Sequence, residues 1–329
     1  TTTARITSYT KTGCTVSKLP ASTVTKFRVR AYKTIGKLTS YSAFSNISVR
    51  TLPSNVGSFK CVESTSSTAK LTWAKNNSAT GYILEQYSNG KWVRIAKFTS
   101  GSNTSCRIIK LASNRAYKFR ICAYKTVGKS ALYSGYTKLT VYSVPTNVSS
   151  FTSGGTTSST VKLNWRKNAT ADGYIIQQYK NGKWVRIKKL TQNTKISYTV
   201  TGLPAGSTCK FRIQAYNFVG KKAVYSKFAS LTVLTKPTVV ASYRCAGKTG
   251  NALTLNWKKN SSASGYIIEQ YKSGKWVRIS KITKNTAVSY TVGNLKKNTA
   301  YNFRIKAYRT VNKSTAYSGY KTIKATTSK

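Results

Sequence analysis

The side chains on which most enzyme and metal sites depend are nearly absent from this sequence. Its 329 residues include 56 lysines and arginines, 4 acidic residues and no histidine, giving a net charge of +52. No Cys-x2-Cys pair for zinc and no glycine-rich nucleotide-binding motif occurs. The acids are too scattered for a carboxylate pair or an oxygen-ligand metal cage: Glu63, Glu85, Asp172 and Glu269. We therefore predict a protein that is not an enzyme and uses no cofactor.

Arginine, lysine and aromatic rings remain as side chains that could bind a ligand. Tyr87, Trp92 and Arg94 have the same parity along two neighbouring strands, and they point outward if Val93 and Ile95 belong to the core. Rings stack on bases or sugars, and guanidinium groups bind phosphate, sulfate or carboxylate. The candidate polyanion- or glycan-binding face consists of Lys91, Trp92, Arg94, Arg120, Lys183, Trp184, Arg186, Arg212, Lys275, Trp276, Arg278 and Arg304.

A purely structural role explains the same residues. Cation-aromatic ladders also finish the exposed face of a sheet, each contact contributing about 0.5 to 2 kcal/mol. Glu85 and Glu269 would then form partly shielded ion pairs with Arg120 and Arg304. The sequence favours this structural interpretation and leaves the binding interpretation open.

A strict 92-residue repeat positions these side chains. Pro53, Pro145 and Pro237 are 92 residues apart, and the Trp and Gly-Tyr positions keep the spacing without insertion or deletion. Residues 1-52 match only the second part of a repeat, so the first copy lacks its front. The predicted domains are a partial repeat at 1-52 and full repeats at 53-144, 145-236 and 237-329.

Within a repeat, apolar residues alternate with a period of two and helical spacing is scarce. Asn89-Gly90 and its counterparts predict type I′ hairpin turns. The pattern predicts an all-β fold of tandem seven-stranded antiparallel β-sandwiches with Trp73, Trp165 and Trp257 in their cores. In the first full repeat, we expect strands near 56-62, 68-74, 81-87, 91-98, 104-110, 116-125 and 133-142.

Short motifs recur in a fixed order in each full repeat: Pro53-x-x-Val56, Leu71-x-Trp73, Gly81-Tyr82, Tyr117-x-Phe119 and Tyr133-Ser134. This order resembles the fibronectin type III family, in the form common in exported proteins of Gram-positive anaerobes. The resemblance covers the whole chain. It implies a bacterial array that lies outside the cell or on its surface, and it says almost nothing about a ligand.

The same resemblance assigns a tyrosine corner, in which a tyrosine hydroxyl bonds to the backbone of a nearby loop. Tyr117 and Tyr301 occupy this position, whereas Thr25 and Cys209 replace it in the first and third copies. Because those copies lose the hydrogen bond, we expect them to be less stable.

Cysteines and glycosylation sequons are the two kinds of position in this sequence at which covalent modification has to be considered. Cys61 and Cys106 should lie on one sheet with a strand between them, beyond disulfide reach, and Cys122 should face outward. We expect mostly free buried thiols, with a disulfide as the alternative. Asn76 and its two counterparts lie in sequons after the core Trp, where turn formation is the favoured interpretation and glycan attachment the alternative.

Linkers between repeats are nearly absent, and proline at each junction favours a stiff, extended connection. We therefore expect a non-enzymatic stalk or filament segment of a bacterial cell-surface or secreted protein, with polyanion- or glycan-binding adhesion as the alternative. Expected partners are neighbouring repeats of a longer chain, other copies of this chain, and anionic cell-wall polymers or glycans. Nucleic acid would bind only non-specifically, and no segment suits membrane insertion.

The partial repeat should leave Phe27, Val29 and Ala31 as an uncovered apolar face. Either preceding residues of a longer array or strands from another chain could cover it. The favoured interpretation is the longer array, because the last repeat has no spare strand to donate.

Overall fold

The computed structural model describes residues 4-329, so Thr1, where the partial repeat is predicted to begin, lies outside the described residues. Throughout this part of the chain the regular elements are β-strands, and their pairs are antiparallel. The predicted all-β fold of tandem antiparallel sandwiches is confirmed. The chain divides into two compact units, one ending at Val144 and the other beginning at Pro145.

The partial repeat forms two hairpin-like strand pairs, in which the first strand pairs with the fourth and the second with the third. Val29 of the first strand is 66% exposed and Ile47 of the fourth is 61% exposed, so the pair formed by these two strands has an open apolar face. Cys14 of the same partial repeat is also exposed. The strands are β1 (Val24–Val29), β2 (Tyr32–Ile35), β3 (Leu38–Tyr41) and β4 (Ser45–Arg50).

The first full repeat is a sandwich of a three-stranded and a five-stranded sheet. Its strands are β5 (Lys60–Ser64), β6 (Ala69–Thr72), β7 (Gly81–Ser88), β8 (Lys91–Phe98), β9 (Ser105–Ile108), β10 (Ala116–Val127), β11 (Ser130–Tyr133) and β12 (Thr137–Tyr142). The small sheet has the order β5-β6-β9. In the large sheet, β8 is the edge strand next to β7, and β10 pairs with β7, β11 and β12.

The two repeats of the second unit have the same topology. The strands of residues 145-236 are β13 (Thr152–Thr156), β14 (Val161–Asn164), β15 (Gly173–Lys180), β16 (Lys183–Leu190), β17 (Ser197–Val200), β18 (Thr208–Val219), β19 (Lys222–Tyr225) and β20 (Ala229–Leu234). Those of residues 237-329 are β21 (Arg244–Lys248), β22 (Leu253–Asn256), β23 (Gly265–Lys272), β24 (Lys275–Ile282), β25 (Ser289–Val292), β26 (Ala300–Val311), β27 (Ser314–Tyr317) and β28 (Lys321–Thr326).

The predicted seventh strand, 133-142, is divided into β11 and β12, and the first strand begins at Lys60 rather than near 56. Ser134 causes the interruption. Its backbone N–H donates to the Ala123 carbonyl and its hydroxyl accepts from the Ala123 N–H, both at 2.9 Å, so the side chain replaces one step of the backbone ladder. Both pieces still pair with β10, which preserves the seven-strand plan.

Each core lies between the two sheets of one repeat. Trp73 is 4% exposed, as are its two counterparts, so the predicted core tryptophans are confirmed. Trp73 packs against Tyr82 with ring centroids 5.6 Å apart. Asn89 and Gly90 both have positive φ, +49° and +78°, as the predicted hairpin turn requires.

The sequon asparagines are buried parts of a loop. The Asn76 side-chain amide donates to the Ser54 carbonyl at 2.6 Å, and its oxygen accepts from the Ser78 N–H at 3.0 Å. The backbone N–H of Asn76 donates to the Tyr82 hydroxyl at 2.8 Å. The two counterparts make the same bonds. These contacts favour the turn-forming role, because the nitrogen that would carry a glycan is already bonded inside the protein.

Candidate polyanion-binding face

In each full repeat a row of three polar side chains crosses the outer face of the large sheet. In residues 53-144, Glu85 of β7 lies directly opposite Arg94 of β8 on one side and Arg120 of β10 on the other. A β-bulge after Leu84 sets this register. The Nε of Arg120 donates to a carboxylate oxygen of Glu85 at 2.5 Å. The carboxylate thus lies between two arginines.

Two aromatic rings pack against Arg120 of this row, one on each face of its guanidinium group. The guanidinium carbon of Arg120 lies 4.6 Å from the Trp92 ring centroid and 3.8 Å from the Tyr136 centroid. The Tyr136 hydroxyl donates to the second Glu85 oxygen at 3.2 Å. Burial, reinforced by Cys122 and Glu85, raises the pKa of Tyr136 to about 12, so the hydroxyl keeps its proton at neutral pH. Both faces of the Arg120 guanidinium are therefore covered and its charge is neutralised.

Residues 237-329 repeat this arrangement. The Nε of Arg304 donates to Glu269 at 2.6 Å, and the guanidinium carbon lies 4.5 Å from the Trp276 centroid and 3.8 Å from the Tyr320 centroid. The Tyr320 hydroxyl donates to the other Glu269 oxygen at 3.0 Å. Lys306 adds a second cation, 4.0 Å from that oxygen. The Glu-Arg ion pairs expected from the sequence are present in both repeats.

Residues 145-236 differ at two positions in this row. Gln177 replaces the glutamate and accepts a hydrogen bond from the Nε of Arg212 at 2.7 Å. Phe228 replaces the tyrosine, 4.0 Å from the guanidinium carbon, and Trp184 covers the other face at 4.4 Å. Arg186 lies opposite Gln177 on the next strand. Two arginines therefore flank a neutral amide instead of a carboxylate.

The remaining candidates lie around these rows. In each repeat the structure brings the predicted tryptophan against the second predicted arginine. The first arginines, Arg94, Arg186 and Arg278, are exposed and lie across the strand from the central residue. Lys91, Lys183 and Lys275 are exposed beside the hairpin turns.

Val93 and Ile95 were expected in the core, but each is 41% exposed. Both residues lie on the edge strand β8, and Ile95 is the extra residue of the β-bulge, because Leu84 pairs with Ala96 and Glu85 with Arg94. Sequence parity identified the outward residues correctly and could not show how far the core extends.

Cys122 was expected to face outward, and it is 1% exposed. It belongs to a second, small apolar cluster with Ile83 and Tyr124, separate from the main core. Burial raises the pKa of its thiol. All six cysteines are free in the structure, and Cys61 and Cys106 lie on either side of Leu71, as predicted.

Sequence analysis missed the aromatic residues that cover the second face of the half-buried arginine in each row. They are Tyr136, Phe228 and Tyr320. These residues lie between the two pieces of the interrupted last strand, so a continuous strand gave no reason to single them out. A usable signal was present: an aromatic residue recurs there every 92 residues, two positions after a serine.

Comparisons with known proteins agree with the fold and the repeat. The model of the Fibronectin type III domain matches residues 143–231 and 236–320. The chain belongs to the fibronectin type III family. Fibronectin type III modules are typically non-catalytic scaffolds, and nothing in the described part of this chain points to catalysis.

Curated relatives match this fibronectin type III array at low identity. Titin of Drosophila melanogaster is 23% identical over 89% of the chain, and Exoglucanase B of Cellulomonas fimi is 23% identical over 74%. The chain spans only 2% of the first relative and 23% of the second. Among solved structures, a segment of two fibronectin type III domains from chicken tenascin covers 55% of the chain at 18% identity, with a TM-score of 0.33.

Within residues 4-329 no cluster of three His, Cys, Asp or Glu side chains could hold a metal ion. The same residues contain no helix that is long and apolar enough to cross a membrane.

Proposed function

We propose that this fibronectin type III array is a non-catalytic stalk or filament segment of a bacterial exported or cell-surface protein. The observation that carries the proposal is the strict 92-residue period, in which every full repeat has its own core between two sheets. Such an array is a series of folded modules joined almost without linkers. The proposed bacterial source comes from the sequence resemblance, and a bacterial protein, Exoglucanase B of Cellulomonas fimi, is among the relatives that match.

Force spectroscopy of the full chain tests the stalk. A load-bearing series of independent modules should unfold in separate events, one for each full repeat. Each event should release 92 residues, or about 300 Å of contour length. A single cooperative event, or events of unrelated size, would contradict the proposal. Substituting the core residue Trp165 by alanine should remove or weaken one event and leave the others unchanged.

Polyanion or glycan binding is a second candidate function. It is supported by the net charge of +52 and by the rows of exposed arginines beside aromatic rings. Affinity for heparin should then fall steeply with added salt. Affinity that stays flat between low and physiological salt would exclude this mechanism.

A triple substitution identifies the surface involved. Replacing Arg94, Arg186 and Arg278 together by glutamine should weaken heparin binding more than replacing three loop lysines, such as Lys129, Lys221 and Lys313. The net charge change is the same in both variants. Equal losses would mean that the rows are an ordinary solvated face.

A further inference from the structure

We propose that residues 145-236 hold a specific binding site for one carboxylate or sulfate group of an acidic polysaccharide, formed by Arg186, Gln177 and Arg212. This inference rests on the second proposed function, polyanion binding, and assigns it to one repeat. In the other two full repeats the equivalent position is already filled by the chain's own carboxylate, Glu85 or Glu269.

The donors of the row carry the inference. The Gln177 oxygen accepts from the Nε of Arg212, which leaves the amide nitrogen of Gln177 as a donor. Arg186 and Arg212 lie on the two neighbouring strands, directly opposite Gln177. With strands about 4.8 Å apart, the two guanidinium groups can converge on one anion above the amide.

Among residues 4-329, no side-chain carboxylate is paired with Arg212. Asp172 is the acidic residue of this repeat, and it accepts from the Asn217 side chain at 3.1 Å and the Phe218 N–H at 2.9 Å, elsewhere in the sheet. The described residues therefore place no acid within ion-pairing distance of Arg212. A cation held between two rings without a counter-charge has more to gain from an external anion than one already paired.

The aromatic rings favour an acidic sugar over a nucleic acid. Trp184 has one face against Arg212, and Tyr179 packs against it edge to face at 5.3 Å. Phe228 also has a face against the guanidinium. Because the guanidinium covers one face of Trp184 and one face of Phe228, these two rings offer less stacking surface to the bases of a single-stranded nucleic acid. The site offers instead the edge of a guanidinium group, which suits a planar carboxylate or a sulfate.

The test converts the site into the neutralised form that the chain already contains. The double substitution Gln177→Glu and Phe228→Tyr reproduces the combination of glutamate, arginine and tyrosine that both other full repeats contain, so it should fold. A matched control, Gln192→Glu, adds the same charge at an exposed loop position of the same repeat. The probes are a size-defined heparin octasaccharide for sulfate and a galacturonate octamer for carboxylate, titrated against the full chain.

We expect the double variant to lose at least about fivefold in affinity for one or both probes, and the Gln192→Glu control to lose less than about twofold. The reciprocal variant, Glu269→Gln with Tyr320→Phe, should gain affinity by creating a second site. Equal losses in the double variant and the control would overturn the specific site and leave general polyanion binding intact. Failure of the unmodified chain to bind either probe at low salt would overturn both.

Discussion

Residues 145-236 and 237-329 form the same sandwich and differ where their sixth strands, β18 and β26, begin. In residues 237-329, the Lys296 N–H donates to the Tyr301 hydroxyl at 2.8 Å. In residues 145-236 the equivalent residues are Pro204 and Cys209, and proline has no N–H to donate. The replacement therefore removes the donor together with the acceptor. This pairing weakens the expectation that loss of the corner tyrosine alone makes a repeat less stable.

In the row of polar side chains across the large sheet, the donor and the acceptor of a hydrogen bond are again replaced together. Tyr320 donates to Glu269, whereas Phe228 has no hydroxyl where Gln177 has no second carboxylate oxygen. The aromatic hydroxyl and the carboxylate oxygen that accepts from it are present together in one version and absent together in the other. The difference that remains is one unit of negative charge.

These paired differences alternate along the chain. Pro20, Thr25 and Phe44 in the partial repeat correspond to Pro204, Cys209 and Phe228, 184 residues later. The intervening and last repeats share the alternative set: Ala112, Tyr117 and Tyr136, then Lys296, Tyr301 and Tyr320. Each compact unit contains one repeat of each kind. The array therefore repeats at two levels, a 92-residue sandwich and a 184-residue pair.

If residues 145-236 and 237-329 differ only at their surfaces, their cores must be equivalent. Substituting the core tryptophans tests this and should give the largest change in stability. Trp165→Ala and Trp257→Ala should each destabilise their own repeat by about 3 to 5 kcal/mol, because both side chains are buried and leave a cavity. Hydrogen exchange of β14 and β22 in the full chain, measured by mass spectrometry, reports each repeat separately. Losses that differ by more than about 1 kcal/mol would show that the repeats differ in their cores as well as at the surface.

Equivalent cores are what the sequence could predict, because burial imposes a residue type at a fixed spacing. Trp73, Gly81 and Tyr82 recur every 92 residues for that reason, and a Cβ on Gly81 would collide with the Phe98 carbonyl oxygen. The row of Glu85 and Arg120 was also accessible through strand parity. The position of Tyr136 against Arg120 depends on the interruption of the last strand at Ser134, and a period-two pattern cannot locate such an interruption.

The charge of the arginine row should produce the second largest effect. Glu269→Gln should lower the opening free energy of β26 by about 1 to 2 kcal/mol, between the values for exposed and buried ion pairs, since the Glu269 side chain is 12% exposed. Gln177→Glu should stabilise β18 by up to about 1 kcal/mol.

Hydrogen exchange of the two strands in the full chain measures both changes. The exposed pair of Arg107 and Glu63, 3.4 Å apart, provides the control, and Glu63→Gln should change the stability by at most about 0.5 kcal/mol. If Glu269→Gln has no larger effect than Glu63→Gln, the carboxylate does not stabilise its repeat, and the contrast between the two rows has no energetic meaning.

The corner should give the smallest effect and the most direct test of paired substitution. Tyr301→Cys removes the acceptor of the Lys296 N–H and should cost about 1 kcal/mol in the stability of β26. Adding Lys296→Pro removes the donor as well, so the double variant should be more stable than the sum of the two single changes allows. In residues 145-236, Cys209→Tyr should gain little until Pro204→Ala restores an N–H. If the two substitutions are additive in both repeats, proline and the missing tyrosine are independent, and the repeats without the corner tyrosine should then be the weaker ones, as the single hydrogen bond predicts.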